Sequence, residues 1–281
     1  MKCIGSVEDG KISLISEITD DQYREYKKAT MQLMAFVRSQ STFRMVEFNY
    51  EEFHLLLTRI SAESCRQVFS WDIVETMSLH INRVMLNFLG MVRVYLDHTE
   101  TRIKRSYGED HAKLFKAATS REYDGLFAYR FLYKLRNYAQ HCGMPVGRWR
   151  HNSALSKQGP GVVDTTQFLF VKSALLEDYR DWGTVTKDLE SQPKEFDVVP
   201  LVDDLMGALR RINATAARLD VKHLEGSVGF LRATFGGLRG RGNIGIIDTS
   251  GLTQEGGQIH IEWPPLFILD ILEEASGTSD L

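Results

Sequence analysis

Cysteine is scarce in this sequence, and no arrangement of cysteines or histidines suggests a bound metal. The three cysteines, Cys3, Cys65 and Cys142, are widely separated and form no Cys-x-x-Cys pair. This usage predicts a reducing compartment and argues against a zinc module. None of the eight histidines forms a His-x-x-x-His pair. We therefore expect no metal and no cofactor.

Long apolar runs are absent as well. Residues 1–9 contain no apolar signal region, and no run reaches the roughly 18 apolar residues of a membrane span. The best candidate, residues 78–97, is interrupted by polar side chains, namely His80, Asn82, Arg83, Asn87 and Arg93. The sequence thus predicts a soluble, cytoplasmic protein without membrane association.

A large charge excess is also missing, because the formal net charge is only -3. The charge is unevenly distributed, however. Residues 102–157 contain twelve Lys and Arg against four Asp and Glu, and the rest of the chain is acidic. Such a segment indicates either a phosphate-facing surface or a solvated face whose charges are neutralised by acidic neighbours. For a charge run alone, the second explanation is the more common.

Apolar periodicity predicts a mainly α-helical first half. Helices are expected over about residues 22–39, 71–107 and 121–142, with shorter pieces up to residue 69 and a short strand over 11–15. The 71–107 segment has no proline and carries a broad apolar stripe. These properties are typical of the central helix of a bundle.

The second half is predicted to be a smaller α+β region. It follows a polar loop at 148–161, the expected domain boundary, and includes an amphipathic helix over about 199–235. Strands are expected over 162–171, 243–248 and 257–263, the last two forming a β-hairpin, before a final helix at 266–275. We therefore predict a helical domain, 1–150, and an α+β region, 151–281.

One stretch combines residues suited to phosphate chemistry. Arg136 and His141 are five positions apart, about 140° around a helix and roughly 7.5 Å along it. They do not share one helix face, but they can border a groove, or a partner helix can bring an equivalent pair. Arginine suits a phosphate or a phosphorane-like transition state, and histidine moves protons near neutral pH. The structural alternative is a surface arginine with a histidine capping the helix C-terminus.

Neighbouring residues extend this candidate site. Asn137 can orient a reacting group through its amide, whereas Tyr138 offers a ring for a base or simply fills core space. Lys134, Arg148 and Arg150 are further candidates for RNA binding. Arginine and histidine without metal ligands are what a ribonuclease needs if it uses the RNA 2′-hydroxyl as its nucleophile.

The segment from Tyr129 to His141 resembles the signature helix of the HEPN superfamily, which contains Arg, a polar residue that is often Asn, three or more residues and then His. The resemblance covers about residues 20–150, and the motif covers six positions. It implies an all-α bundle, a homodimer with two motifs facing one cleft, and metal-independent RNA cleavage. Arg136, Asn137 and His141 would then be catalytic.

The same resemblance implies a biological setting. Such proteins often act in toxin–antitoxin or antiphage abortive-infection systems, so an antitoxin or another regulatory protein is an expected partner. Two alternatives remain open from the residues. One is a non-catalytic HEPN-like module that binds RNA or a protein. The other is a structural or sensor protein that assembles through the helix at 199–235.

Polar residues within the apolar stretch of the 71–107 helix also have two interpretations. Asn82, Arg83 and Asn87 either form an exposed stripe or are buried and support the motif helix, since buried polar groups need partners.

Overall fold

The computed structural model describes residues 1–155, 162–238, 240–253 and 256–270. These residues are mainly helical with small antiparallel sheets, which confirms the predicted fold class at that level. None of the described helices is long and apolar enough to cross a membrane. The helices are α1 Asp20–Ser64, α2 Trp71–Tyr107, α3 Glu109–Gly125, α4 Phe127–His141, α5 Lys172–Asp178, α6 Val185–Ser191 and α7 Val198–Phe235.

Within the described ranges, the strands form three antiparallel sheets. Their bounds are β1 Lys2–Glu8, β2 Lys11–Glu17, β3 Arg148–Leu155, β4 Val162–Val171, β5 Glu195–Asp197, β6 Asn243–Asp248, β7 Leu252–Thr253, β8 Gly256–Gly257 and β9 His260–Glu262. The sheet orders are β2-β1-β6-β9, β3-β4-β5 and β7-β8. Two compact units result, one comprising Met1–Gln40 with Ala217–Leu281 and the other Ser41–Ala216. The division falls within α1 and within α7 rather than at residues 148–161.

The unit of Met1–Gln40 and Ala217–Leu281 is built around the four-stranded sheet. The predicted hairpin is confirmed, because Ile247 of β6 pairs with Ile261 of β9. The sequence did not indicate β1, whose Gly5 interrupts its apolar pattern. Glycine is required there because a Cβ would lie 2.7 Å from the Ser13 carbonyl oxygen of the neighbouring strand. Of the final helix predicted at 266–275, residues 267–270 are helical, and residues 271–275 lie outside the described part of the chain.

The Ser41–Ala216 unit contains α2, which has the bounds expected from its apolar stripe. Two other helix predictions were wrong. Helix α1 continues to Ser64 instead of breaking into shorter pieces, because no glycine or proline interrupts it. The helix predicted over 121–142 is instead α3 and α4, separated at Leu126, whose backbone is extended.

The prediction of a loop over residues 148–161 was also wrong, for residues 148–155. Residues Arg148–Leu155 form β3, which pairs with β4 along its whole length, from Arg148 opposite Leu169 to Leu155 opposite Val162. The polar composition of β3 hid this strand, because most of its side chains remain exposed. Residues 156–161 lie outside the described part of the chain.

Candidate functional site

Helix α4 carries the Arg-Asn-x3-His motif and is fixed by one apolar face. Its buried residues recur at helical spacing and are Ala128, Tyr129, Phe131, Leu132, Leu135 and Tyr138. Phe131 packs against aromatic rings of the same unit, with centroid distances of 5.0 Å to Phe170 and 5.7 Å to Trp182. This packing determines which α4 residues remain at the edge of the core, and these include Arg136 and Asn137.

Arg136 and Asn137 line a small pocket together with Arg93 of α2 and Tyr133 of α4. The cavity has a volume of about 180 Å³. The Arg93 guanidinium lies 5.2 Å from the Tyr133 ring centroid and also forms an ion pair with Asp97, at 2.8 Å. We refer to this cavity as the Arg93–Arg136 pocket. Two guanidinium groups, an amide and an aromatic ring are suited to binding an anion such as a phosphate.

The Arg136 guanidinium has no protein partner among the described residues. Its Nε is buried and makes no hydrogen bond, and no described residue forms an ion pair with it. A buried N–H without an acceptor is energetically unfavourable. No described group therefore balances the charge of Arg136, whose side chain lines the pocket that an anionic ligand would occupy.

His141 is placed differently from Arg136 and Asn137. It is the last residue of α4, its side chain is exposed, and it does not line the pocket. Asn137 and His141 are four residues apart, so helical geometry places them on one face. Within the described chain, Arg136 and Asn137 are brought together and His141 remains outside their pocket, at the end of the helix.

Tyr138 fills core space. Only 3% of its surface is exposed, its ring stacks at 6.0 Å on Trp182, and its hydroxyl lies 3.5 Å from Asp178 Oδ2. Burial, with a smaller contribution from Asp178, raises the pKa of the Tyr138 hydroxyl. Of the two roles considered for this ring, the structure shows the packing role and leaves no face for an RNA base. Lys134 is half-buried on the same helix.

Arg148 and Arg150 are exposed on β3, but both are paired with one carboxylate. Arg148 Nη1 lies 2.7 Å from Glu195 Oε1, and Arg150 Nη2 lies 2.6 Å from Glu195 Oε2. Other cations of residues 102–157 are paired too, in Lys104–Glu109, Lys113–Asp110 and Arg130–Asp188. Much of the basic segment is thus neutralised in space.

Sequence reasoning missed two residues of the pocket, Arg93 and Tyr133. The available signal was that Arg93 interrupts the apolar stripe of α2. Of the polar α2 residues considered, Asn82 is buried, and its side chain accepts from the Val146 N–H at 2.8 Å and donates to the Val146 carbonyl at 3.1 Å. It fixes the chain just after α4. Arg83 instead pairs with Glu52 at the surface.

Two other features lie away from the motif. A larger cavity, of about 550 Å³, lies between α1 and α2 and is lined by none of the predicted site residues. Among the described residues, one cluster could hold a metal, namely Cys65, His151 and Asp164, whose ligand atoms all lie within 4.8 Å of one another. No local sequence spacing signals this cluster, because its members lie just after α1, on β3 and on β4.

No protein-family model, no curated protein and no solved structure matches this chain.

Proposed function

We propose that this chain is a HEPN-like, metal-independent endoribonuclease that acts as a homodimer. The observation that carries the proposal is the Arg93–Arg136 pocket, in which the Arg136 guanidinium has no partner among the described residues. Asn137 shares the pocket, and His141 is exposed one helical turn further on. These three residues are the ones that the motif resemblance assigns to catalysis.

In the proposed reaction, an RNA phosphate occupies the pocket. The ribose 2′-hydroxyl oxygen attacks the adjacent phosphorus, the bond to the 5′-oxygen breaks, and the products are a 2′,3′-cyclic phosphate and a 5′-hydroxyl. Arg136, with Arg93, stabilises the negative charge that develops on the phosphate oxygens. Asn137 orients the phosphate or the attacking hydroxyl through its amide.

Proton transfer is the role of His141 in this proposal. One imidazole accepts the proton of the 2′-hydroxyl, and the partner subunit's His141 donates a proton to the departing 5′-oxygen. A dimer would supply the second imidazole that this reaction needs, since each chain carries one His141, exposed at the end of α4. Two α4 helices facing one cleft would place an imidazole from each protomer near the bound phosphate.

The decisive experiment is RNA cleavage by the purified full chain in excess EDTA. We expect single-stranded RNA to be cut to products with 2′,3′-cyclic phosphate ends. Arg136→Ala, Asn137→Ala and His141→Ala should abolish cleavage, whereas Arg121→Ala, an exposed arginine of the same basic segment, should not. Intact RNA with the wild-type chain, or full activity in His141→Ala, would contradict the proposal.

The biological part of the proposal is a toxin or antiphage effector that acts in the cytoplasm, where Cys3, Cys65 and Cys142 stay reduced. Expression of the wild-type chain should slow growth, and His141→Ala should relieve the effect at equal protein level. An antitoxin or regulatory protein would then be the expected partner. Equal toxicity of His141→Ala would show that RNA cleavage is not the cause.

A second candidate is a non-catalytic module that binds RNA through the same pocket. The position of His141 outside the pocket favours it. In that case RNA would bind with a steep salt dependence and remain uncut. Arg136→Ala would weaken binding, and His141→Ala would leave it unchanged.

A further inference from the structure

Three side chains that are distant in sequence meet at the end of α1. Cys65 directly follows this helix, His151 lies on β3 and Asp164 lies on β4. The sulfur, an imidazole nitrogen and a carboxylate oxygen all lie within 4.8 Å of one another. His151 Nε2 is 3.5 Å from Asp164 Oδ1. All three residues belong to the Ser41–Ala216 unit.

The register of β3 and β4 produces this arrangement. His151 is opposite Thr166, and Ser153 is opposite Asp164. Side chains two residues apart on a strand share a face, and opposite residues face the same side of an antiparallel pair. All four side chains are therefore on one face of the sheet, and a shift of one residue would separate them.

Hydrogen bonds orient the imidazole and the carboxylate. His151 Nδ1 lies 2.9 Å from Thr166 Oγ1, which leaves Nε2 facing Ser153 Oγ at 3.3 Å and Asp164 Oδ1 at 3.5 Å, on the side where Cys65 lies. The Ser153 hydroxyl donates to Asp164 Oδ1 at 2.5 Å. Outer groups that fix ligands in this way are a regular feature of metal sites.

We propose that Cys65, His151 and Asp164 bind one divalent transition-metal ion, with Zn²⁺ preferred. Thiolate, imidazole and carboxylate are the three ligand types that zinc takes from proteins, and a thiolate disfavours Mg²⁺ and Ca²⁺. Ligand atoms on one tetrahedral Zn²⁺ are about 3.3–3.8 Å apart, given usual bond lengths. The His151–Asp164 distance already lies in this range, and the Cys65 sulfur lies within 4.8 Å of both of the other ligand atoms.

The same residues fit a cysteine nucleophile less well. In such a site the imidazole faces the sulfur through one nitrogen and the carboxylate through the other. Here Asp164 faces the same nitrogen that would serve Cys65, and His151 Nδ1 is bonded to Thr166.

With three protein ligands, the ion would keep a fourth position for water or another small ligand. It would also join the end of α1 to the β3–β4 pair. The site shares no residue with the Arg93–Arg136 pocket, so its existence does not depend on the proposed ribonuclease activity. Metal removal is expected to leave the phosphate chemistry of Arg136 and His141 in place.

The test is titration of the metal-free full chain with Co²⁺ and, in competition with a chromogenic chelator, with Zn²⁺. We expect one ion per chain and a thiolate-to-Co²⁺ charge-transfer band. Cys65→Ser should remove the band, and Cys65→Ser and His151→Gln should each weaken Zn²⁺ binding by at least about tenfold. Cys142→Ser and His98→Gln replace exposed residues of the same types and should change neither result.

Thermal unfolding provides a second readout. Zn²⁺ should raise the melting temperature of the wild type and of Cys142→Ser, but not that of Cys65→Ser. Asp164→Asn serves if His151→Gln does not fold. The proposal is overturned if the wild type binds neither ion at micromolar concentration, or if the cobalt band persists in Cys65→Ser.

Discussion

Arg130 and Arg136 lie six residues apart on α4, in contrasting surroundings. Arg130 donates through Nε and Nη2 to Asp188 Oδ2, at 3.1 and 3.0 Å. Its Nη1 donates to the carbonyls of Tyr123 and Asp124, at 3.1 and 2.6 Å, near the end of α3. Arg136 has none of these contacts, and its Nε is buried without a partner among the described residues. One arginine therefore holds elements together, and the other is available for a ligand.

The two arginines of β3, like Arg130, are paired with a carboxylate. Arg148 and Arg150 share the Glu195 carboxylate, so their positive charge is largely balanced. A count of charges along the sequence places all four arginines in one basic segment. Their chemistry differs because a carboxylate pairs with three of them, whereas no residue in the described part of the chain pairs with Arg136.

The largest expected effect is a loss of RNA cleavage when Arg136, but not Arg130, is replaced. Arg136→Met keeps the length and packing of the side chain and removes its charge and donors. We expect RNA cleavage to fall by at least about a hundredfold, the scale for losing one donor to a developing oxyanion. The free energy of unfolding should change by less than about 0.5 kcal/mol, because no protein hydrogen bond is lost. Single-turnover cleavage and urea unfolding measure the two quantities.

Arg130→Met should give the opposite result. The substitution leaves the Asp188 carboxylate and two carbonyls of α3 without their donor, and we expect a loss of about 2–3 kcal/mol in the free energy of unfolding. Because Asp188 is partly exposed, water offsets some of this loss. Cleavage at low temperature, where the variant remains folded, should match the wild type. If Arg130→Met is no less stable than Arg136→Met, the contrast between the two arginines is not real.

A smaller effect, on RNA affinity, is expected when Arg148 and Arg150 of β3 lose the carboxylate that pairs with them. In Glu195→Gln the amide cannot balance two guanidinium groups, so Arg148 and Arg150 become available to phosphates. RNA affinity at low salt should rise severalfold, and the plot of log affinity against log salt should steepen by about one unit. Glu177→Gln makes the same charge change at an exposed site on α5 and serves as the control. Equal slopes in the two variants would show that the β3 arginines contact no RNA.

Much of the helical architecture could be predicted from sequence. Periodicity located α2 and α7 almost to the residue, because both are long and have one continuous apolar face. Periodicity failed where the structure of a segment depends on contacts with other parts of the chain and not on its own composition. The polar strand β3 exists because β4 supplies its hydrogen bonds, and the break between α3 and α4 is fixed by Arg130. The pairing of β3 with β4 is not visible within a short window of sequence, and neither is Asp188, the partner that holds the Arg130 side chain.

The candidate site was only partly predictable, for a related reason. A linear motif indicated Arg136, Asn137 and His141, because they lie on one helix. Arg93 comes from another helix, and the cluster of Cys65, His151 and Asp164 depends on a strand register. Pairing of Arg148 and Arg150 with Glu195 likewise depends on residues that are remote along the chain. Spatial neighbours decide which charges are free, and local patterns along the sequence do not reveal those neighbours.

The smallest expected effect concerns a further paired arginine, Arg211 of α7. It donates through Nε and Nη2 to the two oxygens of Glu122, at 3.0 and 2.7 Å. This bidentate contact lowers the pKa of Glu122 below its ordinary value of 4.5. Because the folded carboxyl has the lower pKa, the pair stabilises the fold fully above pH 4.5, and this contribution is lost as the pH falls through the folded value.

Glu122→Gln should therefore lower the free energy of unfolding by about 1 kcal/mol or less at pH 7, since Arg211 is more than half exposed to solvent. The difference from the wild type should shrink steadily below pH 4.5, because the wild-type carboxyl then becomes neutral as well. Urea unfolding between pH 7 and pH 3 measures it, with Glu225→Gln, at an exposed position of α7, as the control. A difference that stays constant over this range would mean that the charge of the Glu122 carboxylate does not contribute to stability. Arg211 would then be no better paired than Arg136, in spite of its close carboxylate.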